Sequence, residues 1–402
     1  MTRPLLAAAL LVVAGCSAPG PATQTAPVAA DVARHAANGA NALPGNGANA
    51  LPGNGANALP GNGANALPGA QLVCAPPTSA GSASCTLAIN VTIAPNPDPS
   101  LPPAGIPGLH PADLQAAYGL PPSAGGLVAV VDAYDDPVAE SDLAVYRTAF
   151  GLPACTSQNG CFRKLGENGT ASLPAPSTTW AQEIALDLDM ISAACPNCTI
   201  ALVEANSSSL DDLGAAVDTA ASLRPLAISN SYYAAEWSGE QSEDVHFHHP
   251  GIAITASAGD AGTPSYPAVS PFVTGVGGTS LQGSGTSWTE TAWSYGGQGC
   301  SAYVAAPRWQ VGSPCATRAA VDVAAVADPQ TGVAFFCTTS GGWLVAGGTS
   351  VGAPLVAAGY ALSGHPAGPG YSYQRPSAFH DVPPTGIDLV TGLGSPNGIH
   401  GL

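Results

Sequence analysis

Leu127-Val128-Ala129-Val130-Val131-Asp132 is a continuous apolar run closed by an acid, and the sequence around it repeats that pattern. Residues 138–150 read as a helix stopped by Gly151, 179–191 as a second helix, 200–203 as a strand, 210–223 as a helix, and 226–228 and 252–256 as strands. A strand apolar at every position has both faces covered, and strands separated by helices of about ten residues or more pair in parallel through right-handed crossovers. The expected fold class is therefore α/β, a mainly parallel sheet with helices on both faces. In such sheets functional groups gather beyond the carboxyl ends of the strands. Asp132, Asp260 and the small-residue loop around Ser350 each fall there.

Upstream, the composition changes. Residues 1–15 read as an export signal: Arg3, an apolar run over 5–14 too short to span a bilayer, then Ala14-Gly15-Cys16. Val13-Ala14-Gly15-Cys16 resembles a bacterial lipoprotein signal, with Cys16 as the lipidated residue, so a cell-envelope lipoprotein is expected, with plain secretion as the alternative. Within residues 16–69, positions 38–69 are four copies of Asn-Gly-Ala-Asn-Ala-Leu-Pro-Gly, which offer too little apolar surface to offset ordering entropy. This is the pattern of a disordered tether. Residues 70–108, with Cys74, Cys85 and a proline-rich run, read as a short cross-linked linker, and the compact domain is expected over 109–402.

Nine Lys and Arg against 26 Asp and Glu give a net charge of -17, which argues against nucleic acid as a partner. With eight His, the positive charge in acid cannot exceed +17, a limit on self-repulsion that suits work at low pH as well as ordinary solubility. Apart from Cys16, nine cysteines in an exported chain are expected to pair with near neighbours: Cys74 with Cys85, Cys155 with Cys161, Cys195 with Cys198, Cys300 with Cys315, leaving Cys337. No second pair with zinc-ligand spacing exists. His246-Phe247-His248-His249 lacks a helical i, i+4 pair and reads as a polar stretch ahead of Pro250-Gly251.

Three motifs carry chemistry. Gly347-Gly348-Thr349-Ser350-Val351-Gly352-Ala353-Pro354 lies between the apolar run 343–346 and a helix-like segment over 355–362. It places a serine at a helix N-terminus, where free N–H groups stabilise an adjacent anion; the competing role for that serine is a helix cap. In the helix over 179–191, for which Thr179 and Gln182 suggest a capping box, Glu183 and Asp187 share a face beside Trp180, Ile184 and Ile191. Such a pair tends to share a proton. Ser257-Ala258-Gly259-Asp260 follows a buried strand, and a protonated Asp there is able to donate a hydrogen bond to an oxyanion.

Taken in order with Val131-Asp132-Ala133-Tyr134, Tyr266-Pro267-Ala268, Val276-Gly277-Gly278-Thr279-Ser280 and Thr391-Gly392-Leu393-Gly394, these motifs resemble the sedolisin family of serine-carboxyl peptidases. The resemblance runs from about residue 109 to the C-terminus. It implies a subtilisin-like fold and an acid-active endopeptidase, with Ser350 as nucleophile, Glu183 as its general base, Asp187 holding Glu183 and sharing its proton, and Asp260 with the Ser350 N–H as oxyanion donors. Asp132 is implied as a partner behind them. Protein or peptide substrates, a monomer, and membrane attachment through Cys16 alone are expected.

The family's calcium site is implied at Asp381, Val382, Gly386 and Asp388, although Pro384 stands where a glycine is usual and the intervening loop is nearly deleted. A large N-terminal prodomain is also usual, and only residues 70–108 lie in its place, as a prodomain remnant. Two other functions fit parts of the sequence. A catalytically silent surface lipoprotein would use the same fold for binding, and an α/β-hydrolase would read Gly348-Thr349-Ser350-Val351-Gly352 with Asp388 and His400 as its triad.

Overall fold

The computed structural model describes residues 67–402 apart from Ala124 and Pro366. The expected signal at 1–15, Cys16 and the repeats up to residue 66 lie outside the described residues. Among the described residues no helix is long and apolar enough to cross a membrane.

In chain order the main elements are β1 (Ala70–Leu72), β2 (Ser84–Cys85), β3 (Ala88–Asn90), α1 (Pro111–Tyr118), β4 (Leu127–Ala133), α2 (Ala139–Ala149), β5 (Phe162–Gly166), α3 (Thr178–Ala194) and β6 (Thr199–Ala205). There follow α4 (Leu210–Ser222), β7 (Ala227–Asn230), β8 (Tyr232–Ala235), β9 (Ala253–Ser257), β10 (Ser265–Tyr266), β11 (Thr274–Ser284), β12 (Ser287–Ala292), β13 (Cys300–Ala305), β14 (Thr317–Ala319), β15 (Val323–Val326), β16 (Val333–Cys337), β17 (Gly342–Gly347) and α5 (Thr349–Ser363). The central sheet has the order β12-β11-β9-β7-β4-β6-β5, with β15 also paired to β11. All its pairings are parallel except β11 with β12.

Burial accounts for this arrangement. From Val128 onward β4 has no exposed position, and its Val-rich run is suited to a strand packed on both faces. Helix α5 is buried from Thr349 to Leu362 and lies against β7, β9, β11 and β15 while packing on α3; α4 covers β4 and β6. Close approach of α5 to the sheet depends on Gly352, where a Cβ would stand 2.8 Å from the Val276 side chain.

Two boundaries differ from expectation. Helix α3 is capped by Ser177, whose hydroxyl accepts the Trp180 N–H, so the expected Thr179 box is not formed and Gln182 instead donates to the Thr178 carbonyl. Helix α5 begins at Thr349 and takes in the whole stretch through Pro354 that reads as loop.

The larger difference lies at the N-terminus. Residues 70–108 are part of the folded body: β1 and β3 join β17 and β16 in an antiparallel sheet of order β1-β3-β17-β16, and β2 joins β8 and β10 in another. Leu87 and Ala88 are fully buried, and even Leu67, at the end of the last repeat, packs with Ala88, Trp293 and Ala327. The packed body therefore starts well before residue 109. All four expected disulfides are present, and Cys337 is free and buried.

Candidate active site

The N-terminal cap of α5 is Gly348 at φ 94°, and no side-chain cap bond is made, so Ser350 sits inside the first turn rather than capping it. Glycine is required at this cap for a second reason. A Cβ would stand 1.9 Å from the Thr86 carbonyl oxygen and 2.7 Å from Asp260 Oδ2. Four residues on, Pro354 has no N–H to give the Ser350 carbonyl, and the Ser231 hydroxyl donates to that carbonyl instead, at 3.5 Å.

Asp260 follows β9 through Gly259, whose φ of 96° turns the chain toward α5. Its Oδ1 accepts both the N–H and the hydroxyl of Thr349, each at 2.9 Å, while Gly259 N–H donates to Thr349 Oγ1 at 3.1 Å. Asp260 Oδ2 is buried without a partner among the described residues. Burial pushes the Asp260 carboxyl up to about 7, against the opposing effect of the Thr349 bonds. A protonated Oδ2 would be a donor, and it lies, like the Thr86 carbonyl, beside Gly348.

Helix α3 brings Glu183 and Asp187, both fully buried, to the side facing α5. Glu183 Oε2 accepts the Thr86 N–H at 3.1 Å, and Oε1 has no partner among the described residues. Thr86 also joins Ser350, its hydroxyl lying 2.6 Å from Ser350 Oγ. One residue thus touches both the serine and the glutamate, which are far apart in the chain. Burial, then the charges of Asp187 and Asp132, raise the Glu183 pKa well above the ordinary carboxylate range; the Ser350 hydroxyl opposes this. Burial also raises Asp187, with Ser231 and Glu183 opposing, and raises Asp132, reinforced by Asp187 and Glu204. Burial and crowding thus shift each of these acids toward its protonated form.

That crowding has a consequence for stability. A carboxyl whose folded pKa is raised binds more protons folded than unfolded, so its contribution is complete below the unfolded pKa and is lost as pH rises through the folded one. Asp136, raised to about 6 by burial, Asp260 to about 7, and Glu204 to about 8, also by burial, spread the loss across neutral pH. Thermal melts are expected to give a Tm lower by on the order of 10 °C at about pH 8 than at about pH 4. A Tm that rises over this range would show these acids to be ionised in the native state.

The residues implied for calcium share one turn, and part of their oxygens accept hydrogen bonds from that turn. Gly386 N–H donates to Asp381 Oδ1 at 2.9 Å. Asp388 takes the N–H groups of Val390 (2.6 Å) and Thr391 (2.9 Å) on Oδ1 and the Thr391 hydroxyl (2.6 Å) on Oδ2. Calcium needs about six to eight oxygens, and among the described residues no group of three or more His, Cys, Asp or Glu is gathered for a metal. Asp381 Oδ2 and the Val382 and Gly386 carbonyls accept no hydrogen bond among the described residues, so the oxygens there are fewer than the ion needs in full but of the kind it takes, and calcium stands as what the resemblance implies.

Sequence reasoning did not anticipate Thr86, Ser231 or Thr349. Thr349 adjoins the motif, whereas Thr86 carries no local signal beyond its neighbour Cys85. An open cavity of about 700 Å³, lined in part by Cys74, Ser84, Tyr134, Pro176 and Trp180, lies beside this segment. His400 is exposed and Asp388 is taken up by its own turn, so neither is placed as the buried serine would need in an α/β-hydrolase triad.

No protein-family model matches the chain. Xanthomonalisin from Xanthomonas sp. (strain T-22) is 26% identical over 382 residues, covering 73% of this chain and 46% of its own length. Kumamolisin from Bacillus sp. (strain MN-32) is 28% identical over 354 residues, covering 72% of this chain and 62% of its own. The chain thus spans less than two thirds of either curated relative. Among solved structures, Pseudomonas sedolisin, a serine-carboxyl proteinase complexed with two molecules of pseudo-iodotyrostatin, superposes with a TM-score of 0.63 at 23% identity, over 73% of this chain and 96% of that one. Fervidolysin from Fervidobacterium pennivorans, a keratinolytic enzyme related to subtilisin, gives a TM-score of 0.50 at 16% identity, over 77% of this chain and 50% of that one. The fold is subtilisin-like.

Proposed function

The relatives and the fold support assignment of this chain to the sedolisin family, and on that premise we propose that it is an acid-active serine-carboxyl endopeptidase. Ser350 attacks the peptide carbonyl, Glu183 takes the hydroxyl proton, and an acyl-enzyme forms on Ser350. Asp187 holds Glu183 and shares its proton. Asp260, protonated, and the Ser350 N–H face the developing oxyanion. Asp132 stands behind them, and its charge raises the Glu183 pKa further.

The observation that carries this reading is the meeting of Ser350 and Glu183 at Thr86, with Asp260 Oδ2 and the Thr86 carbonyl both beside Gly348 at the start of α5. A capping serine and a solvated acidic face would produce none of these contacts. Substrates are proteins or peptides, and the four disulfides suit an exported chain, in line with the lipoprotein reading of Cys16. The full burial of Ser350 favours one alternative, a catalytically silent surface lipoprotein.

Hydrolysis of casein followed from about pH 2 to about pH 8 separates them. The expected result is an acidic optimum that is lost in Ser350→Ala and kept in His400→Ala. Activity that survives in Ser350→Ala ends the peptidase reading, and activity lost in His400→Ala revives the hydrolase triad.

A further inference from the structure

Tyr134, two residues beyond Asp132, has φ 64°, and among the described residues only Arg224 shares a positive φ without being glycine. The left-handed region is costly for a bulky side chain, and such residues persist where their surroundings over-determine them, most often at functional sites. A glycine would make this turn freely. A tyrosine held there against that cost points to a use for its ring.

The turn is tied down from three directions. Tyr134 N–H donates to the Ala205 carbonyl of β6 at 2.8 Å. Asp135 N–H donates to the Ala175 carbonyl at 3.1 Å, and the N–H of Ser177, the cap of α3, donates to the Asp135 carbonyl at 3.2 Å. Lys164, on β5, is the chain's only lysine. Its ammonium has three protons to give and meets three oxygens: the Asp135 carboxylate, the Asp136 carbonyl at 2.5 Å and Glu204 Oε1 at 3.2 Å. Glu204 Oε1 also accepts the Asp136 N–H at 3.0 Å, so β5, β6 and the turn after β4 meet at one point.

The Tyr134 ring centroid is 6.4 Å from that of Trp180, which precedes Glu183 by about one turn of α3. Both line the open cavity of about 700 Å³, where no charged side chain is found among the described residues. That cavity adjoins the edge of β8. Ser84 and Cys85 pair antiparallel with Tyr233 and Tyr232 there, and the next residue, Thr86, accepts the Ser350 N–H on its carbonyl at 3.4 Å. Cys85 is joined to Cys74, which lines the cavity. A peptide laid on the same edge, with its scissile carbonyl at Ser350, therefore brings the side chain of the preceding residue to this cavity. In such strand additions main-chain pairing gives affinity and the side-chain pockets give choice.

We propose that Tyr134 selects substrates by packing, with Trp180, on an aromatic or large apolar side chain in the second position before the cut, and that Lys164 is the positioning residue that keeps Tyr134 in its left-handed conformation. The inference rests on the peptidase reading above. A charged side chain entering the cavity loses water and finds no partner there, so it is rejected.

The test uses the full chain at about pH 4 and two internally quenched peptides that differ only in Phe or Ser at that position, with the cut bond read by mass. The wild type is expected to favour the Phe peptide by about 10 to 100-fold in kcat/KM, the worth of burying one aromatic side chain. Tyr134→Ala should bring that ratio below about threefold, chiefly by raising KM for the Phe peptide, while Tyr134→Phe keeps it. Lys164→Met should lower the ratio by about fivefold or more, whereas a merely structural role would slow both peptides alike and leave the ratio where it was. Should Lys164→Met fold poorly, its combination with Asp135→Asn, which removes the acid left unpaired, is read instead. Cleavage of both peptides without preference, or a ratio unchanged in Tyr134→Ala or in the Lys164 variant, overturns this inference and leaves the peptidase reading standing. A chain that cuts neither the peptides nor casein overturns both.

Discussion

Glu183→Gln is expected to lower kcat for casein hydrolysis at about pH 4 by at least ~10⁴-fold while leaving KM within about threefold of wild type. Gln has the shape of Glu and still accepts the Thr86 N–H that Glu183 Oε2 takes in the resting chain. What it cannot do is receive a proton from Ser350. The loss therefore falls on an interaction made only as the bond forms, which is the signature of a kcat effect.

The raised pKa of Glu183 bears on this expectation. Its largest cause is burial, and the Thr86 N–H is bonded to Glu183 Oε2 within that buried site. A Glu183→Gln enzyme with wild-type kcat and a raised KM would assign the residue to substrate binding instead.

How much of this was legible in the sequence follows from the range of the forces involved. Strands β4, β6, β7 and β9 announce themselves because a strand buried on both faces must be apolar at every position, and the disulfides follow from near-neighbour spacing. Glu183, Asp187, Asp260 and Ser350 each have an ordinary structural use taken singly, and it is their occurrence together and in order, as in the resembled family, that marked them. Strands β1 to β3 are two or three residues long and lie among Pro, Ser and Gly; what orders them is pairing with β17 and β8, far away in the chain. No local pattern encodes that. The start of α5 was hidden differently: Gly352, Ala353 and Pro354 read as loop by propensity, and tertiary burial overrides them. The implied calcium ligands share a turn, and sequence spacing does not reveal that N–H and O–H groups of the same turn bond to Asp381 and Asp388.

Asp260→Ala is expected to reduce kcat by about 10² to 10³-fold, the usual effect of losing one oxyanion donor. Asp260→Asn should lose far less, because an amide N–H occupies the same position as the acid proton. The two variants differ most in their pH profiles. In the wild type the donor exists only while Asp260 is protonated; with burial pushing its carboxyl up to about 7, activity falls as pH rises toward neutrality. Asn does not titrate, so in Asp260→Asn that alkaline limb should move upward by about one pH unit or more, to wherever the next essential group loses its proton. Thr349 is the internal check: its N–H and hydroxyl both bind Oδ1, and Asn keeps an acceptor there, so the start of α5 and the position of Ser350 are preserved. An alkaline limb that stays in place in Asp260→Asn would transfer the controlling proton to the Glu183–Asp187 pair and leave Asp260 only the holding of Thr349.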